Sequence, residues 1–366
     1  MDGDSVMMTI SDLQRSITDL SAILHQSVKV DHLLTLTDQN AVLQHAKFSV
    51  PARSEGYTVD DNARALVFLS RAQERWKIPT LELQRKLLSF MLQMQHQDGR
   101  FHNLMNFSQE IADEASVGDH LGRAIWSAGA VINSPGPKGI RDCARTIFDK
   151  ALPWAIRSTS PRTRAYACLG IYERLNAEPN EPNLLSNLRS FADSFVAAYC
   201  QNQTSDWSWF ENILTYDNPR LSEALLVAYK SLRDEEYRNI AEESLLFLTK
   251  IQTVDEIFVP IGNRGWYVKG KSRATYDQQP IEPGGMIEAA TLAYSITGSK
   301  EYEEIIRKAL GWFIGLNSKS VRVYDESSGG CFDGVTEEGL NENQGSESTL
   351  AFLLASESLI RNFPRD

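Results

Sequence analysis

Two carboxylates stand side by side at Asp60 and Asp61, with Asn62 next and Arg64 two residues further on. Neighbouring carboxylates repel, which raises the pKa of one and suits it to give up a proton or hold a hydroxyl. Arg64 can keep the other ionised. Helix capping would explain one Asp, because a short carboxylate accepts the free N–H groups of a first turn. It does not explain two, nor the Asn62 and Arg64 beside them. Comparable clusters recur along the chain. Asp119, His120 and Arg123 form one, and Trp207, Trp209 and Phe210 precede Glu211, Asp217, Asn218 and Arg220. Glu282 follows Gln279 in a turn bracketed by prolines, and Asp333 and then Asn343 and Gln344 lead to Glu347.

This composition suits a sugar. Aromatic faces stack on its C–H surfaces, while carboxylates and amides take its hydroxyls. The carboxylates read as candidates for acid–base catalysis are Asp60, Asp61, Glu211, Asp217, Glu282 and Glu347. Of these, Asp60 or Asp61 suits the acid and the other four suit the base. Glu347 in a first helical turn fits a base, since the helix dipole favours a carboxylate there. The residues read as substrate-binding are Tyr57, Asn62, Arg64, Asp119, His120, Arg123, Trp207, Trp209, Asn218, Arg220, Gln279, Asp333, Asn343 and Gln344. Taken singly, capping or packing explains each of them as well as chemistry does. Convergence of the group on one face favours a site.

Other chemistries have little support. No glycine-rich phosphate loop, dinucleotide fingerprint, zinc-protease helix or nucleophile elbow occurs, so neither a cofactor nor a metal is expected. All 6 His fall between His25 and His120. A site needing His from opposite walls of a closed fold, as in an epimerase, is therefore disfavoured, and so is a polysaccharide lyase. A net charge of −11 argues against nucleic acid. No run approaches the ~20 apolar residues of a membrane span. The acidic N-terminus carries no apolar stretch of signal-peptide type, and the 4 Cys show no CxxC pair, so a cytoplasmic protein is expected.

The elements that must position these residues follow one plan. Polar turns marked by Asp61, Asp119, Pro161, Asn218, Glu282 and Gln344 each open an apolar helix rich in Ala, Gly and Ser. Helices apolar nearly all round are buried on both sides, and a conventional amphipathic helix lies between each consecutive pair. An amphipathic helix over 8–28 can close the set. The expectation is an all-α fold, one (α/α)6 barrel spanning 1–366, with strands only in short loop hairpins, one of them around 259–268. Parallel inner helices would open on one face. Asp61, Asp217, Glu282 and Glu347 should then surround one funnel, with Trp207 and Trp209 on its wall.

The segments GYTVDDNARAL, DWSWFE, YDNPRLSEAL and NQGSESTLAFLLA resemble the six-hairpin glycosidase superfamily of (α/α)6 toroids. More narrowly, they are similar to a bacterial and archaeal branch found alone or fused behind glycosyltransferases. The likeness covers residues 31–358. It implies the toroid fold and a carbohydrate substrate, an oligosaccharide or polysaccharide. The activity expected is that of an inverting glycoside hydrolase, or a related glycan-active enzyme, on a neutral oligosaccharide. The alternative is a non-catalytic glycan-binding module with a glycosyltransferase partner. The resemblance does not assign the catalytic pair, because branches of the superfamily place their carboxylates differently.

Overall fold

A computed structural model describes residues 7–76 and 78–364. The chain begins with a short 3-10 turn, Ile10–Gln14, and then α1 (Ile17–Ser27) and α2 (Asp31–Leu36). Five helical hairpins follow: α3 (Val59–Ala72) with α4 (Thr80–Met94), α5 (Asp119–Asn133) with α6 (Lys138–Arg157), α7 (Pro161–Ala177) with α8 (Pro182–Asn202), α9 (Pro219–Leu232) with α10 (Glu235–Ile251), and α11 (Ile281–Thr297) with α12 (Lys300–Phe313). The last helix is α13 (Ser346–Asn362). The odd-numbered helices from α3 to α13 pack side by side in order, and α13 returns to α3, so they close a ring. The even-numbered helices from α4 to α12 sheath it, and α1 covers α13. No helix among the described residues is long and apolar enough to cross a membrane.

The small residues explain the inner ring. A Cβ on Gly129 of α5 would lie 2.2 Å from the Gly170 carbonyl of α7, and one on Gly170 would lie 2.5 Å from the Ile125 carbonyl. The two backbones therefore touch, which larger side chains would forbid. The helix starts also match the sequence pattern. Thr58 closes the first turn of α3: its hydroxyl accepts from the Asp61 N–H at 3.1 Å and donates to the Asp61 carboxylate at 2.5 Å. Thr58, not Asp60 or Asp61, is thus the cap, and Asp60 is released from that duty.

Three expectations are corrected. The helix expected over 8–28 breaks, because Ser16 caps a new helix by accepting from the Asp19 N–H. The hairpin expected around 259–268 does not form. Thr253–Val254 pairs instead with Ile257–Phe258 about a turn whose Asp255 and Glu256 adopt φ of 48° and 65°. Tyr267–Val268 pairs with Ile213–Leu214. The third correction concerns Trp207 and Trp209, which do not line a funnel. Trp207 is 2 % exposed and packs edge-on against Phe247 and Tyr267. Trp209 is fully buried against Phe210. They fill space between barrel and loop, because an indole buries too much apolar surface to stay in water when such a gap exists. Truncating Trp209 to Ala should therefore cost about 3–5 kcal/mol in a denaturant titration, with Trp209→Phe losing far less. A Trp209→Ala protein of unchanged midpoint would contradict the packing role.

Candidate active site

A cavity of about 350 Å³ opens where α3 and α13 begin. Asp60 and Asp61 come from α3, and Glu347 and Ser348 from α13. Asp277 and Gln279 come from the segment before α11, and Asp333 from the loop before α13. His45 and Asn103 reach in from loops flanking α3. Five carboxylates thus face one space. Leu104 is its sole apolar side chain among the described residues, and no Phe, Tyr or Trp lines it. The cavity is a hydrogen-bonding pocket, not the aromatic-walled funnel expected from composition.

Arg64 organises the floor. Its guanidinium donates to Asp61 at 3.1 Å and to Glu347 at 2.8 Å, from separate nitrogens. The two carboxylates, 286 residues apart in sequence, are therefore neighbours. Burial pushes the Asp61 carboxyl up to about 6 against the pull of Arg64, and Glu347 adds to the rise. Asp60 goes the other way. Burial would raise it, but Arg123 and Arg64 together hold it below the usual carboxylate range. Asn103 also donates to Asp60 at 3.1 Å. Burial raises Asp333, while the Gly345 N–H donates to it at 2.8 Å. Asp277 accepts from Arg264 at 3.0 Å through one oxygen, and its other oxygen is buried without a partner among the described residues. The neighbouring Asp pair has thus split into one acid of raised pKa and one held carboxylate.

The other candidates lie outside the cavity. Arg123 donates to Asp60 at 2.5 Å and to the Tyr166 hydroxyl at 2.8 Å, and that hydroxyl donates to Asp217. Asp217 is buried at a left-handed φ of 46°, and Arg220 joins it to Glu223 and Glu288. Glu282 is buried and accepts from the Asn218 backbone and side chain and from Gln252. Burial raises its carboxyl to about 7 in spite of those bonds. Glu211 pairs with Arg162 at 3.0 Å. Asp119 accepts from Ser160, Thr163 and Tyr216. His120 is buried near the Phe101 carbonyl, 3.2 Å away, and Asn62 ties Val42 to the start of α3. The Tyr57 hydroxyl donates to Asp38 at 2.5 Å. Asn343 accepts from the Phe48 N–H, and Gln344 is buried against Ser328 and Asp325. These are ties between elements, because a charged or amide group inside a barrel must be partnered.

His45, Asn103 and Asp277 had not been singled out. His45 and Asn103 stand well upstream of the helices their loops lead into, and Asp277 precedes the Pro-bracketed turn that opens α11, so none sits in the turn that marked the others. The one signal for His45 was its place in the irregular stretch leading to Gly56. Among the described residues no group of three or more His, Cys, Asp or Glu could hold a metal ion.

The buried neutral acids set a pH dependence. The Asp61 carboxyl rises from 3.8 in the open chain to about 6, and Glu282 from 4.5 to about 7. A raised carboxyl stabilises the fold fully below its open-chain value and loses that as pH rises through its folded value. Each contributes on the order of 3 kcal/mol over the rise. The thermal midpoint should therefore fall by several degrees from pH 4.5 to pH 7.5. A midpoint rising over that interval would contradict their burial as neutral acids.

No family model matches the chain, and no curated protein matches it significantly. Solved structures do. A cellobiose 2-epimerase from Spirochaeta thermophila superposes with a TM-score of 0.73 at 12 % identity, over 97 % of this chain and 99 % of its own. A sugar epimerase from a ruminal bacterium gives 0.72 at 12 %, over 96 % and 100 %. The chain has the six-hairpin (α/α)6 toroid fold. An α-1,6-mannanase from a Salegentibacter species gives 0.61 at 10 %, over 94 % and 98 %. At such identities the likeness is one of fold.

Proposed function

We propose that the chain is a carbohydrate-active enzyme whose acid–base pair is Asp61 and Glu347. The observation that carries this is their shared hold on Arg64 at the floor of an open cavity, with Asp61 kept as an acid of raised pKa. In glycoside hydrolysis Asp61 gives its proton to the glycosidic oxygen as the bond to the anomeric carbon breaks. Glu347 takes a proton from the water that attacks that carbon. Inverting enzymes work in this way, with two carboxyl groups about 6.5–9.5 Å apart around the water. Asp60, Asp333, Asn103 and Gln279 bind the hydroxyls. The substrate is a neutral oligosaccharide, bound by hydrogen bonds without aromatic stacking.

A second reading is sugar epimerisation or isomerisation. It is favoured by the closer superposition on the epimerases, 0.73 against 0.61 for the mannanase, and by His45 on the cavity wall. Here a cavity base removes a proton from the carbon next to the sugar carbonyl, and a proton returns on the other face. One experiment tests both readings. The protein is incubated in D2O with a panel of reducing disaccharides and mannans. New reducing ends without carbon-bound deuterium support hydrolysis, and an epimer carrying deuterium supports the second reading. Binding without turnover would leave the glycan-binding module. No binding to any glycan would overturn the proposal.

A further inference from the structure

A second cavity, of about 160 Å³, lies at the opposite mouth of the barrel, where the inner helices end. All six contribute: Arg71 of α3, Asn133 of α5, Glu173 of α7, Glu223 of α9, Glu288 of α11 and Arg361 of α13. Lys230 of α9 stands at its edge. Chain segments from 71 to 362 meet here only because the ring closes.

Its charges are unevenly engaged. Arg71 donates to Glu173 at 2.7 Å and to Glu288 at 3.3 Å. The other oxygen of Glu173 accepts from Asn133 at 2.8 Å, and the other oxygen of Glu288 accepts from Arg220. Those two carboxylates are satisfied. Glu223 is 5 % exposed, and one of its oxygens accepts from Arg220 at 2.6 Å. Among the described residues its other oxygen takes no hydrogen bond. Burial raises the Glu223 carboxyl in spite of the pull of Arg220, so it can present a proton to the cavity.

Two cations remain without a close acceptor. Among the described residues the nearest carboxylate to Arg361 is Glu173 at 4.0 Å, beyond hydrogen-bond reach. Lys230 rests on the Tyr172 ring, 5.5 Å from its centroid, with no carboxylate partner among the described residues. The helix C-termini explain why cations collect here, since the partial negative charge of their carbonyls attracts them. With no carboxylate hydrogen-bonded to either among the described residues, the guanidinium fork and the ammonium are free to donate. A tetrahedral oxyanion offers acceptors to both at once, and charge-assisted bonds of this kind are stronger than neutral ones. The size agrees. With a liquid water occupying about 30 Å³, the space holds an anion of a few heavy atoms and no polysaccharide.

We propose that this opposite-mouth cavity binds a phosphate group, inorganic or at the end of a small monoester, between Arg361 and Lys230 with Glu223 beneath it. The site is separate from the open-face cavity and stands whatever reaction occurs there. The test is isothermal titration of the full chain at pH 7 and fixed ionic strength, with inorganic phosphate in one arm and a hexose 6-phosphate in the other. A saturable single-site heat is expected in at least one arm, and the arm that binds more tightly identifies the source. Arg361→Gln with Lys230→Gln should weaken it at least ten-fold, while Lys150→Gln on an outer helix leaves it unchanged. Both cations lie at the cavity mouth, and each single variant should weaken binding several-fold even if the pair fails to fold. No saturable heat in either arm, or equal binding by the Arg361 and Lys230 variants, would overturn the proposal.

Discussion

Replacing Asp61 by Asn should cut turnover of the chain's glycan by about 100- to 10,000-fold, the span expected for loss of a positioned general acid. The fold should not suffer. Asp61 is buried with its carboxyl raised to about 6, so the protonated acid is the form the structure favours. An amide has nearly the shape of that acid and carries no charge to desolvate. The thermal midpoint of Asp61→Asn should therefore lie above that of the parent at pH 5 and further above it at pH 8, because only the parent carries a carboxyl that costs stability as it ionises. The parent's kcat/KM should fall on the alkaline side of about pH 6, as the acid form is depleted tenfold per pH unit. Glu347→Gln should also lose turnover, because it removes the base. Full activity in Asp61→Asn, or a flat profile between pH 5 and 8, would remove Asp61 from the chemistry.

Replacing Arg64 by Met should be the most damaging single change at this face. Arg64 is 3 % exposed and its guanidinium joins two carboxylates. Methionine fills some of the volume but leaves Asp61 buried without its cation. Breaking a buried pair by removing one partner costs about 3–5 kcal/mol. Asp61 should respond by taking up a proton, since the pull that opposed burial is gone. Arg64→Lys should restore only part of the loss, because one ammonium cannot offer the planar fork that reaches both carboxylates. Denaturant midpoints of the three proteins at pH 7 measure this. An Arg64→Met midpoint equal to that of the parent would mean that the shared guanidinium does not hold the site.

The ring was legible because its cause is local. Small-residue helices such as 121–132 cannot be stable at a surface, and a turn precedes each of them. The same regularity placed Asp60, Asp61, Gln279, Asp333 and Glu347, which stand near helix starts and line one cavity. It misplaced Asp217, Glu282 and Glu211, which also stand near helix starts. What separates the two groups is whether the carboxylate still faces open space once its partners are in place: Asp60 and Glu347 also take an Arg from another hairpin yet line the cavity, whereas Asp217 and Glu282 are buried beneath Tyr166 and Asn218. That depends on packing between hairpins, which spacing within one segment does not encode. Trp207 and Trp209 failed for a related reason. A loop with two indoles has the same composition whether it is wet or plugged by Phe247 and Tyr267.

The most direct measurement is the crystal structure of the Asp61→Asn protein soaked with an oligosaccharide panel. The expected result is one sugar ring in the cavity between α3 and α13, with Glu347 and residue 61 within hydrogen-bond distance of the same scissile or reacting centre and Asp333 on a hydroxyl. A glycan bound away from that cavity, or one lying in it with Glu347 and residue 61 both turned from its anomeric end, would contradict the assignment of the acid–base pair.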